Sequence, residues 1–308
     1  MKNLTLICLG GGKNQKKLIS ISVKKKIQTL VLEFKRINIK NNYLEQIKLS
    51  CYNLSHVKKN INLIKKKIIS TKIDFIYRSS GPSILVLFYL CKIFKVKRIS
   101  KNLAQSIYSK SFFSNLLTKK KIPTINFLKL KSFKKIKKFS SFVIKPDAPI
   151  IGKKNVFLID KNTKFNLALF NKVIKCSHNK NIICSDYISG FDVGSFVFIE
   201  KKNKKINYLN PFYEKNKFQN NKIKFFGLSK CYEKKLINKI NSLTKKIIRI
   251  YPKYYGFLSI TYRVSNLGKI FPYEINIGLS GDGFAETYFP KLNLKKNPFD
   301  MEIKNLIF

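Results

Sequence analysis

Glu274 and Asn276 stand two residues apart in "KIFPYEINIGLSGDG" (residues 269–283), an otherwise apolar, strand-like run. Residues at i and i+2 of a strand share one face. A carboxylate and an amide oxygen side by side are hard donors of the kind Mg²⁺ takes together with phosphate oxygens. The plainer reading is a single glutamate held by a hydrogen bond or a salt bridge, because a carboxylate in a buried strand is costly unless something positive meets it. The pairing with Asn276, and a total of only 15 Asp and Glu in 308 residues, favour the metal.

Lys145 is the second such residue. It follows Phe142-Val143-Ile144 and precedes Pro146. A strand lysine ordinarily snorkels to solvent. Here a loop follows, Ala148 to Val156, whose backbone N–H groups could hold phosphate, and a lysine beside such a loop can grip a nucleotide. A third signal is the run Gly10-Gly11-Gly12, with Glu33 closing the next strand. A dinucleotide fingerprint would need glycine at position 15, where Gln15 stands. A weak nucleotide-like site and a tight strand-to-helix turn both remain open there.

The elements that would carry these residues alternate over the first hundred positions. "LTLICL" (4–9), "IQTLVLEF" (27–34) and "KIDFIY" (72–77) read as strands, and residues 14–26 and the apolar run from Ser83 to Cys91 as helices. Lys40 to Ile69 has helical periodicity. This alternation predicts a parallel sheet with helices on its faces, whose ligands sit at the carboxyl ends of the strands, where both "GGGKNQ" and "RSSGPS" fall. Residues 102–121 read as one helix ended by Ile122-Pro123. Residues 140–159 read as strand, turn and strand, and residues 181–200 as two strands about Gly190. Tyr232 to Tyr251 reads as an amphipathic helix, and the last strands form a hairpin about Asn266-Leu267-Gly268. The predicted class is α/β, becoming α+β in the C-terminal part.

Composition narrows the partners. The net charge is +48, yet the cations are 58 Lys against 5 Arg, spread along the chain, and Ala occurs four times and Trp never. The abundant residues are those of A/T-rich codons, so genome composition accounts for the lysines. A solvated basic surface, with no specific nucleic-acid partner, is expected. Six scattered Cys and two His form no zinc spacing and no disulfide framework, which fits a reduced, cytoplasmic protein. No run is long enough to span a membrane.

In order and spacing these segments resemble the ATP-grasp superfamily of ligases. "SFVIKPDAPIIGKKNVFLI" resembles its strand-Lys-Pro segment and flap, "ICSDYISGFDVGSFVFI" its adenine and ribose segment, "GKIFPYEINIGLSGDG" its metal strand and "YSKSFFSNLLTKKKIPT" its nucleotide-contacting helix. The front looks like the pre-ATP-grasp domain of carbamoyl-phosphate synthetase, biotin carboxylase and the carboxylate–amine ligases. The resemblance implies a pre-ATP-grasp parallel α/β domain over 1–104, then a two-subdomain ATP-grasp fold: a lid over 105–181 and a large subdomain over 182–308.

The same resemblance implies the site. Lys110 and Lys145 would bind the phosphates of ATP or the adenine edge, and Gly152, Lys153 and Lys154 would form the flap. Ser185, Asp186, Tyr187 and Ile188 would line adenine, and Asp192 would hold ribose where the family usually has Glu. Glu274 and Asn276 would hold Mg²⁺. Gly11, Gly12, Ser79, Ser80, Gly81, Ser280 and Asp282 would face the substrate. There are departures. The flap has a single Gly, Ser185 replaces an acid, and Thr261 stands where the preceding strand normally carries another metal carboxylate. Arg263, two residues on, would supply part of the missing positive charge as a catalytic group. The implied activity is ATP-dependent activation of a small-molecule carboxylate as an acylphosphate for attack by an amine or other nucleophile, in a chain for which a homodimer is compatible. The alternative is a catalytically eroded ATP-binding protein with a regulatory or structural role.

Overall fold

The computed structural model describes residues 4–77, 81–133, 140–150, 155–160, 163, 165–279, 284–292 and 297–307. Gly152, Lys153, Lys154, Ser79, Ser80, Ser280 and Asp282 lie outside the described residues.

The first sheet is parallel and grows from the apolar runs seen in the sequence. Strands β1 (Leu4–Leu9), β2 (Gln28–Leu32), β3 (Leu44–Ile47) and β4 (Lys72–Tyr77) pair in the order β3-β2-β1-β4. Helix α1 (Lys13–Lys24) links β1 to β2, and α2 (Leu54–Lys59) and α3 (Ile61–Lys66) precede β4. The helical expectation for Lys40 to Ile69 is corrected at its start. There Gln46 donates to the Glu33 carbonyl at 2.9 Å and accepts from Ile37 N–H at 3.0 Å. That side chain fastens a loop onto an edge strand, so tertiary bonding overrides local periodicity. Asn53 then caps α2 by accepting from His56 N–H.

Helix α4 (Ser83–Ile93) is the apolar run, buried as expected. The single helix expected over 102–121 is two, α5 (Lys101–Tyr108) and α6 (Lys110–Lys119). The break is at Ser109, whose backbone is extended (φ −129°, ψ 118°) and whose hydroxyl accepts from Phe112 N–H. A serine that caps a new helix competes with continuation of the old one.

The second sheet has ten strands. They are β5 (Phe127–Leu130), β6 (Phe142–Pro146), β7 (Phe157–Ile159), β8 (Ile182–Asp186), β9 (Gly190–Ile199), β10 (Ile206–Tyr208), β11 (Phe212–Gln219), β12 (Lys222–Lys230), β13 (Gly256–Ser265) and β14 (Ile270–Ile277). Their order is β14-β13-β9-β11-β12-β7-β6-β8-β5, with β10 on β9. Helix α7 (Leu167–Ile174) packs on β6 through a separate small core that includes Phe142, Ile144, Phe157, Phe170 and Ile182. Helices α8 (Lys234–Ile248) and α9 (Pro298–Ile307) belong to the larger core, which also contains the parallel sheet.

Arg98, nearly fully buried, joins the two sheets. Its Nε donates to the Tyr255 carbonyl at 3.0 Å, Nη1 to the Phe75 carbonyl at 2.5 Å, and Nη2 to Glu302 Oε1 at 2.8 Å. Asp74 lies 3.7 Å from Nη1, and the guanidinium stands over the Tyr254 and Tyr255 rings. Gly256 (φ 105°) opens β13 against this group, and a Cβ there would come within 2.6 Å of Nη2. Among the described residues no helix is long and apolar enough to cross a membrane. Glu302→Ala should leave Arg98 short of its closest counter-charge and cost about 3–5 kcal/mol, read as a lowered urea midpoint for unfolding. An unchanged midpoint would exclude Arg98 as the tie between the sheets.

Candidate nucleotide site

Glu274 lies on β14, paired across to Thr261 of β13, with Asn276 opposite Ser259. Between these pairs and the hairpin turn, the register slips. Tyr262 faces Pro272, so Tyr273 has no partner residue and forms a bulge. Pro272 cannot donate to a ladder, and β14 is an edge strand, the place where a proline and a bulge are tolerated. The bulge aims Tyr273 into a cleft shared with Lys110, Lys145, Ser185, Phe127 and Ile183.

What Glu274 meets is Lys110, the first residue of α6: its Nζ lies 2.9 Å from Glu274 Oε2. Asn276 Nδ2 donates to Glu274 Oε1 at 3.3 Å, so the two residues share a face as their spacing requires. Lys145 reaches the same cleft from β6, with its ammonium 5.2 Å from the centre of the Tyr273 ring. Burial, reinforced by the Lys110 charge, lowers the Lys145 pKa to about 8 against the pull of Glu274, Asp192 and Asp147. Burial pushes the Tyr273 phenol well up, and Asp192, Glu214 and Glu274 add to the shift.

A second polar cluster adjoins this one on β9, β11 and β13. Asp192, 5% exposed, accepts from Arg263 Nη1 at 3.1 Å and from Asn216 Nδ2 at 2.8 Å. Arg263 Nε also donates to the Ile188 carbonyl at 2.8 Å, and its guanidinium stands 6.0 Å from the Tyr187 ring. Arg263 therefore braces residues 187–192. Asp186 accepts from Asn126 Nδ2 at 3.0 Å, and Ser185 is buried between β5 and β6. Thr261 donates to Glu214 Oε1 at 3.2 Å. Gly190 (φ 147°) lets β9 press against β13, since a Cβ there would overlap the Val264 carbonyl.

The structure thus brings Lys110, Lys145, Ser185, Glu274 and Asn276 together, with Asp192 and Arg263 in the adjoining cluster. Gly11 and Gly12 lie elsewhere, at the rim of the parallel sheet. Gly11 N–H donates to Glu33 Oε2 at 2.8 Å and Lys35 N–H to Glu33 Oε1 at 3.2 Å, so the carboxylate after β2 ties the glycine turn after β1 to its own loop. Gly81 abuts the loop after β6, where a Cβ would come 2.6 Å from the Pro149 carbonyl. The sequence reading missed Tyr273 as a cleft residue, and Glu214 with Asn216. The latter pair repeats the Glu-x-Asn spacing of 274–276, and the scarcity of acids that singled out Glu274 applies equally to Glu214. Among the described residues no group of three His, Cys, Asp or Glu side chains could hold a metal, so the donors at hand are Glu274 and Asn276.

No family model and no curated protein matches this sequence. Solved structures do, and they give the chain the fold of the ATP-grasp ligases. It is similar to an L-amino acid ligase from Bacillus licheniformis (TM-score 0.74, 13% identity, covering 100% of this chain and 74% of that one). An N5-carboxyaminoimidazole synthetase from Staphylococcus aureus complexed with ADP matches at TM-score 0.73 and 16% identity, over 99% and 78%. A D-alanine–D-alanine ligase from Bacillus anthracis complexed with ATP matches at TM-score 0.60 and 13% identity, over 99% and 97%.

At pH 8 about half of Lys145 should be neutral, against under about one in a hundred for an ordinary lysine. Amine acylation followed by peptide mapping should give Lys145 a reactivity midpoint near pH 8. In Glu274→Gln, which removes an attraction favouring the charged form, that midpoint should move lower. A midpoint near that of the exposed lysines would contradict the geometry of the cleft.

Proposed function

We propose that this chain is an ATP-dependent ligase that activates a carboxylate as an acylphosphate for attack by an amine or other nucleophile. The observation that carries the reading is the convergence of Lys110 and Lys145, from two separate elements, on the cleft beside Glu274 and Asn276, in a fold shared with ATP-grasp ligases. The proposed parts are 1–104, 105–181 and 182–308, with the nucleotide between the last two.

The donor set fits Mg²⁺. Glu274 and Asn276 present hard oxygens, Mg²⁺ needs only one or two carboxylates plus phosphates, and a cation, the Lys110 ammonium, already rests on Glu274. Bound through Glu274 and Asn276, the ion would supply charge neutralisation on the phosphates.

The rest of the chemistry belongs to the chain. Lys145, half-buried and held over Tyr273, offers a poorly hydrated positive charge to the phosphates. Lys110 can exchange Glu274 for a phosphate oxygen. In the family's reaction the substrate carboxylate attacks the γ-phosphorus and ADP leaves. The nucleophile then attacks the acyl carbon and phosphate leaves. The two lysines stabilise charge on the transferring group. Ser185 to Ile188 face adenine, and Asp192, fixed by Arg263 and Asn216, faces ribose. The flap is assigned to Gly152, Lys153 and Lys154, and the substrate to the space between the N-terminal rim, with Gly11, Gly12, Ser79, Ser80 and Gly81, and the loop of Ser280 and Asp282. The reading places the protein in the cytoplasm, in keeping with free cysteines.

Thr261 is the observation that favours the second reading, an ATP-binding protein without turnover, because it leaves Glu274 without a carboxylate directly across the ladder. ADP release measured with Mg²⁺ over pooled carboxylates and amines separates the two. A ligase should turn over, and Glu274→Gln should slow it by roughly a hundredfold. ATP binding with no turnover in any pool, unaffected by Glu274→Gln, would sink the ligase reading.

A further inference from the structure

Asp147, two residues beyond Lys145, is 0% exposed and is absent from every role assigned above. Its carboxylate collects hydrogen bonds from two segments, the start of α6 and the loop before β8. Oδ1 accepts from Ser111 N–H at 2.7 Å and from the Ser109 hydroxyl at 3.0 Å. Oδ2 lies 2.9 Å from the same hydroxyl, and accepts from Ser111 Oγ at 3.0 Å and from Asn179 Nδ2 at 2.7 Å. Its only ion-pair partner among the described residues is Lys129 at 3.5 Å, on a largely exposed side chain. Its backbone continues the tie: its carbonyl accepts from Lys110 N–H and its N–H donates to the Asn181 carbonyl, each at 3.0 Å.

Such an outlay is not needed to start α6. Ser109 already caps that helix through Phe112 N–H. What Asp147 adds is a bond between elements. It joins the first turn of α6, which begins with Lys110, to the end of β6, which carries Lys145, and both to the loop before β8. A buried carboxylate at a helix N-terminus is also electrostatically suited to hold it there.

We propose that Asp147 is a positioning residue for nucleotide binding, fixing the spacing at which Lys110 and Lys145 reach the phosphates. The proposal rests on the nucleotide reading of the cleft. Asp147 touches no ligand and acts through the two lysines. If its function is placement, its removal matters only while both lysines are present. If it merely stabilises the fold, its removal weakens every background alike.

ADP binding measured by calorimetry on the full chain, with thermal unfolding as a check on folding, tests this in a double-mutant cycle. Asp147→Ala should weaken ADP by roughly tenfold to a hundredfold, the cost of misplacing a binding group by about an ångström. In a Lys110→Ala or Lys145→Ala background the same substitution should weaken ADP by under about threefold. Asp147→Asn, which keeps size and an acceptor for Ser111 N–H, should recover part of the loss, and it serves in place of alanine if that variant does not fold. Equal losses in all backgrounds, or no loss in the wild-type background, would overturn the proposal while leaving the nucleotide reading intact. A wild-type chain that binds no ADP would overturn both.

Discussion

The candidate site depends on one ion pair across the molecule. Lys110 stands at the start of a helix, Glu274 on the last strand of a ten-stranded sheet, and 2.9 Å separates their charged atoms. The pair makes a partly buried carboxylate affordable on an edge strand, and it brings a helix terminus to the sheet face that Asn276 shares. The bulge at Tyr273 belongs to the same arrangement. By consuming one residue it turns an aromatic ring under Lys145, where desolvation and the neighbouring Lys110 charge depress the amine's proton affinity. Positive groups from α6 and β6 and oxygen donors from β14 then surround a single cleft.

The polar face next to it works as a brace. Asp192 and Glu214 lie directly opposite each other on β9 and β11, an arrangement of like charges that costs stability unless compensated. Arg263 and Asn216 engage Asp192, and Thr261 engages Glu214. The same arginine holds the Ile188 carbonyl, so the segment between β8 and β9 is fixed by side chains from the strand beyond it.

How much of this the sequence shows depends on how far each feature reaches along the chain. The parallel strands are legible because continuous apolar runs ending in glycine or turn residues state their burial locally. The Glu274–Asn276 face is legible because a period of two is local as well. The partner of Glu274 is not, since Lys110 lies more than a hundred residues away among dozens of similar lysines. The break at Ser109 depends on a cap that outcompetes a continuous helical pattern. The β11–β12 hairpin carries little apolar signal, few of its residues being buried, and only its turn announces it: Asn220 and Asn221 both take positive φ, the geometry of a two-residue hairpin loop. Glu214 carries the same scarcity signal as Glu274, but Lys215 and Lys217 beside it break the apolar pattern that marks a strand around Glu274.

Arg98 has a consequence for how this chain uses its cations. Three of its nitrogens serve three separate acceptors, on Tyr255, Phe75 and Glu302. A lysine gathers its three N–H donors on one nitrogen, whereas the guanidinium spreads five over a rigid fork that reaches acceptors on different segments. In a protein that uses lysine for 58 of its 63 basic positions, Arg98 and Arg263 each clasp more than one segment of backbone or side chain through separate nitrogens of one guanidinium.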